Sequence, residues 1–348
     1  MTRNNQQVIF SQVCKNSIPV PGEHLQVLAS DIDLDAPLAD GAYIVKHLYF
    51  SIDPYFRHGL ANFPPNIWGF QLGEVVRGVA LGVVLRSSNP KYPQGAIVLS
   101  GFAKALFTEY SIIQESEQDH YQVLLEDAKA SKVPLSNYLG VLGVAGMTGY
   151  YGLFEHGKPK AGETIFISGA AGGVGQLVGQ LAKLQGLHVV GSAGTDEKVA
   201  YLKEIGYDGA FNYKKSDMGA KLAELCPNGI DLVYENVGGD SLNTAIAHCN
   251  NWARIVMCGT SGHKANGGAV PNLSMMMPKR LRIQAINAHD ISPEMKKEFT
   301  HQVTEWIVQG KIQYREYITE GIENTPKAVA DMLGGENLGK AIVKVADL

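Results

Sequence analysis

Between residues 163 and 287 the chain alternates short apolar runs with amphipathic ones, and few folds tolerate that pattern. "ETIFIS", "LHVVG", "GAFNY", "IDLVYEN", "ARIVMCG" and "LRIQAIN" read as strands. "GQLVGQLAKLQG", "DEKVAYLKEIG", "DMGAKLAELCPNG" and "DSLNTAIAHCN" read as helices between them. In the first helix Leu177, Val178, Leu181 and Leu184 fall on one face, and the second ends at Gly206. Strands alternating with helices in this way predict an α/β fold, a doubly wound parallel sheet.

The first strand runs into "SGAAGGVG" and then a helix, where a phosphate cradle belongs. Aligned on G-x-G-x-x-G, the three positions are Ala170, Gly172 and Gly175, so the first glycine is alanine. The candidate cradle is Ala171, Gly172, Gly173, Val174 and Gly175. Gly172 lets backbone approach a pyrophosphate, and Gly175 lets the helix pack on the sheet. The helix N-terminus adds unpaired N–H groups and a positive dipole end. A purely structural glycine turn is the competing reading, weakened by the βα alternation around it.

The next strand ends in "HVVGSAGTDEK". In such units an Asp or Glu at that tip holds the ribose of NAD. Here the position falls at about Ala193, and no acid is present. A carboxylate would repel a ribose 2′-phosphate, so its absence favours NADPH over NADH. Lys198, in the first turn of a helix capped by Thr195 or Asp196, and backbone donors at Gly194 and Thr195 are the candidate phosphate ligands. Against this stand Asp196, Glu197 and the plain alternative that Lys198 is a solvated helix lysine.

The first 130 residues differ, with "AYIVKHLYFSID", "VVRGVALGVV" and "GAIVLSGF" reading as strands bounded by Gly and Pro. A small-residue stretch, Lys132 to Gly157, reads as one or two helices joining domains. Near the C-terminus Ser292 and Pro293 open a helix with Phe299, Val303, Trp306 and Ile307 on one face. Two strands flanking a helix near Thr325-Pro326 then complete the first domain, which is therefore discontinuous.

Charged residues make up 18%, below the roughly 25% of soluble domains, so the cores are large. A net charge of -4 and a pI near 6.2 argue against nucleic acid or an anionic membrane as partner. No apolar run reaches the roughly 18 residues that span a bilayer. The N-terminus lacks the apolar core of a signal peptide, so a cytoplasmic protein is expected. Cys14, Cys226, Cys249 and Cys258 are scattered without a C-x-x-C pair, which suggests reduced thiols and neither zinc nor disulfides.

The segments "FSIDPYFR", "YLGVLGVAGMTGYYGL", "AAGGVGQLVGQLAKLQG", "AGTDEK", "GIDLVYENVGG", "CGTSG", "RLRIQ" and "ENLGKAIVKV" together resemble a zinc-independent medium-chain dehydrogenase/reductase. The chain is most similar to the subfamily of leukotriene hydroxydehydrogenase/prostaglandin reductase, plant double-bond reductases and bacterial curcumin reductase. The resemblance implies a GroES-like mostly-β catalytic domain, residues 1–131 and 305–348, around a Rossmann NADP-binding domain, residues 132–304. It implies NADPH-dependent reduction of the C=C bond of α,β-unsaturated ketones or aldehydes. It implies cofactor contacts at Lys198, Tyr213, Asn236 and Asn337, with Cys258 and Gly259 at the fifth strand end and Gly339 in "ENLGK". It also implies a homodimer joined through the edge strand "RLRIQAIN".

Enone reduction needs a hydride donor, donors for the developing enolate oxygen, and a proton for the α-carbon. Tyr55 in "DPYFR" is the candidate donor or acid, because a neutral phenol stabilises an oxyanion without a metal. The zinc-dependent relatives carry a His-Glu pair near "GFQLGEVVRG", but here Glu74 follows Leu72-Gly73, so no metal is expected. Relatives usually carry a Tyr where "CGTSGHKANG" has His263 and Lys264, and an apolar stretch where "AINAHD" has Asn287 and His289. His263 is thus a second catalytic candidate, and Tyr55, His263, Asn287 and His289 are the candidate substrate pocket. These departures suggest a specialised substrate. Two alternatives stay open: an NADP-dependent alcohol/ketone oxidoreductase, and an NADPH-binding protein without turnover.

Overall fold

The computed structural model describes residues 2–15, 18–61, 69–127, 130–262 and 269–348, with Thr2 and His289 by their backbone alone. The chain divides into two units. The first holds Met1–Gly140, Tyr317–Asn337 and Ala341–Leu348; the second holds Val141–Glu316 and Leu338–Lys340.

In the second unit six strands form one sheet: β1 (Thr164–Ile167), β2 (His188–Ala193), β3 (Gly209–Asn212), β4 (Ile230–Glu235), β5 (Cys249–Met257) and β6 (Arg282–Ala285). Their order is β3-β2-β1-β4-β5-β6, and every pairing is parallel. This is the doubly wound order, which reverses between β1 and β4 and opens a crevice at the C-terminal ends of those strands. All four residues of β1 are buried, as a central strand with helices on both faces requires.

The longer helices of this unit are α1 (Val144–Tyr151), α2 (Gly175–Leu184), α3 (Asp196–Glu204), α4 (Met218–Leu225), α5 (Gly239–His248) and α6 (Pro293–Val308). α1 continues into a π-helical turn, Gly152–Gly157. On α2 Leu177, Val178 and Leu181 are fully buried, but Leu184 is 45% exposed. It is the last helical residue, where the chain turns towards β2. Thr195, not Asp196, caps α3, its Oγ1 accepting from the Lys198 backbone at 3.2 Å. Ser292 caps α6 with Pro293 at the first turn, and Phe299 and Val303 carry the buried face.

The first unit is built on an antiparallel sheet that includes Tyr43–Ser51, Ala80–Ser87, Ile97–Ser100 and Tyr121–Leu125. An N-terminal strand, Thr2–Phe10, pairs antiparallel with Leu25–Asp33; its polar sequence hides it from periodicity. Phe50 and Phe107 stack at 4.1 Å in a core shared with Tyr55, Phe56 and Phe70. His47 is fully buried between the Thr108 carbonyl (2.7 Å) and the Tyr121 hydroxyl (2.8 Å).

Candidate functional site

The glycine-rich loop leaves β1 at Ser168 and enters α2 at Gly175. A Cβ on Gly175 would lie 2.5 to 2.7 Å from Ala170 backbone atoms, so helix and loop pack only because none is present. A Cβ on Gly172 would meet only the Gly169 carbonyl, at 3.4 Å, so its backbone faces open space. That is the opening a pyrophosphate needs. The alanine at the first glycine position also has an explanation. A Cβ on Gly191, in β2, would sit 2.7 Å from the Ala170 methyl, so Gly191 makes room for it. Ala171 is buried, while Gly172, Gly173 and Val174 are partly exposed along the rim.

A second segment closes one side of this loop. The Gly339 N–H donates to the Ala171 carbonyl at 2.9 Å, and Gly339 bridges Gly172 in parallel. Two glutamines of α2 hold the chain that supports it. Gln180 exchanges two hydrogen bonds with the Gln313 backbone (2.7 and 2.8 Å), and Gln176 two with the Arg315 backbone (3.1 and 2.9 Å). Four residues of helix rise about 6.0 Å and two of extended chain about 6.6 Å, so the spacings match. Lys340 then donates to the Arg315 carbonyl at 3.1 Å. Sequence reading missed this strap, because polar residues on an amphipathic helix read as its wet face, yet Gln176 and Gln180 are buried.

At the tip of β2, Ala193, Gly194 and Thr195 present no acid. Lys198 is only 8% exposed, which removes the reading of it as a solvated helix lysine. The Asp196 carboxylate is engaged: it meets Lys215 Nζ at 2.6 Å and Asn212 Nδ2 at 2.7 Å. Those two partners, Lys215 first, hold its carboxyl below the usual range. The Tyr213 hydroxyl lies 3.2 Å from where a Gly194 Cβ would be, and its ring is 43% exposed beside the tip. Gly194, Thr195 and Tyr213 thus meet at this strand end, Lys198 is buried one turn into α3, and the nearby carboxylate is paired with a lysine. This set suits a phosphorylated ribose.

Asn236 follows β4 and is tied to Ser168 at the end of β1. Cys258 and Gly259 follow β5, both backbone N–H groups donating to the Glu235 carbonyl at 2.9 and 3.2 Å. Burial pushes the Cys258 thiol up to about 12, so it is no thiolate nucleophile. Beyond β6, Asn287 is exposed, and its carbonyl accepts from Asp290 at 3.0 Å. The side chain of His289, and all of His263 and Lys264, lie outside the described residues.

In the first unit Tyr55 is buried against Phe56 (5.1 Å) and Phe102 (4.8 Å). Its hydroxyl donates to the Arg77 carbonyl at 3.0 Å. Burial, reinforced by Asp53, holds the phenol well above its ordinary range, so it keeps its proton. Asn337 is half-buried, two residues past Gly335, which caps the helix Thr325–Gly334. Among the described residues no group of three or more His, Cys, Asp or Glu could hold a metal, and no helix is long and apolar enough to cross a membrane.

Comparison with known proteins agrees with this architecture. Residues 173–308 match the zinc-binding dehydrogenase model and residues 29–120 the N-terminal domain of oxidoreductase. The chain belongs to the medium-chain dehydrogenase/reductase family. It is 39% identical to prostaglandin reductase 1 of Bos taurus over 88% of this chain and 91% of that one. It is 37% identical to the NADP(+)-dependent 2-alkenal reductase of Nicotiana tabacum over 99% and 98%. The crystal structure of CurA from Vibrio vulnificus in complex with NADPH matches with a TM-score of 0.87 at 31% identity, covering 99% of this chain and 100% of that one.

Proposed function

We propose that this protein uses NADPH to reduce the C=C bond of α,β-unsaturated ketones or aldehydes. The observation that carries the cofactor reading is the end of β2, where Ala193, Gly194 and Thr195 put no Asp or Glu at the ribose position, Lys198 is buried in the next turn, and Asp196 is paired with Lys215. The relatives named as prostaglandin and 2-alkenal reductases support the substrate class. NADPH, when bound, supplies the hydride. The chain's own residues do the rest. The glycine-rich loop and the α2 N-terminus hold the pyrophosphate. Gly194, Thr195, Lys198 and Tyr213 hold the 2′-phosphate. Asn236, Cys258, Gly259 and Gly339 are the proposed lining for the remainder of the cofactor.

Tyr55 is the proposed hydrogen-bond donor to the substrate oxygen. Its phenol stays protonated, and it would exchange its bond to the Arg77 carbonyl for one to the carbonyl being reduced. We further propose a cytoplasmic homodimer joined through β6, which among the described residues pairs on one side and is the last strand of its sheet. The first unit then serves as the GroES-like catalytic domain and the second as the NADP-binding domain. The test is to mix the protein with NADPH and a panel of enones, then follow nicotinamide absorbance and identify the product. A saturated ketone is expected. An allylic alcohol, or no consumption of NADPH across a broad panel, would overturn the reading.

A further inference from the structure

One fully buried carboxylate in the second unit has no part in the function above. Glu235 ends β4 with no exposed surface. Its Oε1 accepts from Ser168 Oγ at 2.5 Å, from the Val237 N–H at 2.7 Å and from the Gly238 N–H at 2.8 Å. Its Oε2 accepts from Ser241 Oγ at 3.2 Å. Four donors on one buried group make a closed network, so removing one member disturbs the rest.

The network leads to Asn236. The hydroxyl of Ser168, while donating to Glu235, accepts the Asn236 backbone N–H at 2.8 Å. The Ser168 carbonyl accepts the Asn236 side-chain Nδ2 at 2.7 Å. The Asn236 carbonyl in turn takes both the N–H (3.0 Å) and the hydroxyl (2.7 Å) of Ser261. One of the two Nδ2 hydrogens of Asn236 goes to the Ser168 carbonyl, which fixes the amide plane; the other N–H is left as a donor, and Oδ1 is the acceptor the side chain offers a ligand. A ligand atom that meets Oδ1 must be a donor. The adenosine end of the cofactor belongs at the β2 tip, on one side of the crevice between β1 and β4. A dinucleotide spans that crevice, so the β4 end faces its other half. That half carries donors: ribose hydroxyls and a carboxamide NH2.

We propose that Glu235 is a positioning residue which, through Ser168, aims the Asn236 Oδ1 at a donor of the nicotinamide half of the cofactor. The inference rests on the assignment of NADPH as cofactor. Its test needs no enone, so its failure and a failure of the enone-reductase reading are distinct.

The experiment compares dissociation constants for NADPH and for adenosine 2′,5′-bisphosphate, which lacks the nicotinamide half, by titration calorimetry. Asn236→Ala should weaken NADPH about fivefold, the effect of one neutral hydrogen bond. Ser168→Ala should weaken it by a similar factor. Both should leave adenosine 2′,5′-bisphosphate within about twofold. Because Ser168 acts through Asn236, the double variant should bind NADPH no worse than Asn236→Ala alone. Glu235→Gln keeps an oxygen for the three Oε1 donors and should stay near wild type, whereas Glu235→Ala should behave like Ser168→Ala. If Glu235→Ala does not fold, the serine and glutamine variants still decide. Equal weakening of both ligands, multiplying effects in the double variant, or a Glu235→Gln protein as impaired as Ser168→Ala would overturn the proposal.

Discussion

A single methyl at position 339 should loosen the cofactor loop by breaking its main-chain brace. Gly339 has φ +82, and its Cβ would lie 2.0 Å from the Arg315 oxygen and 2.5 Å from its carbonyl carbon. The obstacle is backbone, held by Gln176 from both sides and by the Lys340 N–H. The left-handed conformation costs an L-residue about 1–2 kcal/mol. Overpacking against fixed atoms adds about 1–3 kcal/mol. Gly339→Ala should therefore lose about 2–5 kcal/mol of stability, or yield by drawing the 338–340 segment off the Ala171 carbonyl. Gly310 supplies the control: it has φ +69 and nothing within 4 Å of its would-be Cβ. Gly310→Ala should show the conformational cost alone, about 1–2 kcal/mol. Urea unfolding of both variants isolates the clash as their difference. Calorimetry should show Gly339→Ala binding NADPH and adenosine 2′,5′-bisphosphate about tenfold more weakly, and Gly310→Ala binding both normally. A Gly339→Ala protein as stable as Gly310→Ala, with unchanged affinities, would refute the argument that this segment braces the loop.

Lys198→Ala should raise the KM for NADPH about 10- to 100-fold, the loss of a charge-assisted bond, and hardly change that for NADH; equal responses would contradict the 2′-phosphate assignment. Lys215→Ala strips Asp196 of its cation and should also weaken NADPH selectively, an effect that shrinks as salt is added; an unchanged NADPH to NADH ratio would count against it. Tyr55→Phe should cut kcat while leaving the dissociation constant for NADPH in place; unchanged turnover would remove Tyr55 from the mechanism. Burial lowers His47 to about 4. The unfolded chain then binds a proton below about pH 6.5 that the native state refuses until about 4. Stability should fall by about 3 kcal/mol as pH drops across that window, and His47→Gln should lack this slope in urea titrations; an identical slope would show that another group is responsible.

Much of this molecule was readable in its residues, for a local reason. Alternating apolar runs predict a parallel sheet because each strand and helix carries its own periodicity. The spacing from Ala170 to Gly175 marks a phosphate loop because turn, backbone approach and helix packing all occur within one short segment. The missing acid at Ala193 was legible in the same way. What needed the tertiary structure were relations between distant residues. That Gly191 accommodates the Ala170 methyl, that Lys198 is buried rather than solvated, and that Asp196 is taken by Lys215 depend on which strand lies beside which. Gln176 and Gln180 look like surface residues until residues 313–315 are laid along α2. Glu235 looks like one acid among many until the ends of β1, β4 and β5 meet around it. A sequence states what each residue can donate, accept or exclude; only the packed chain decides which partners are close enough for that to matter.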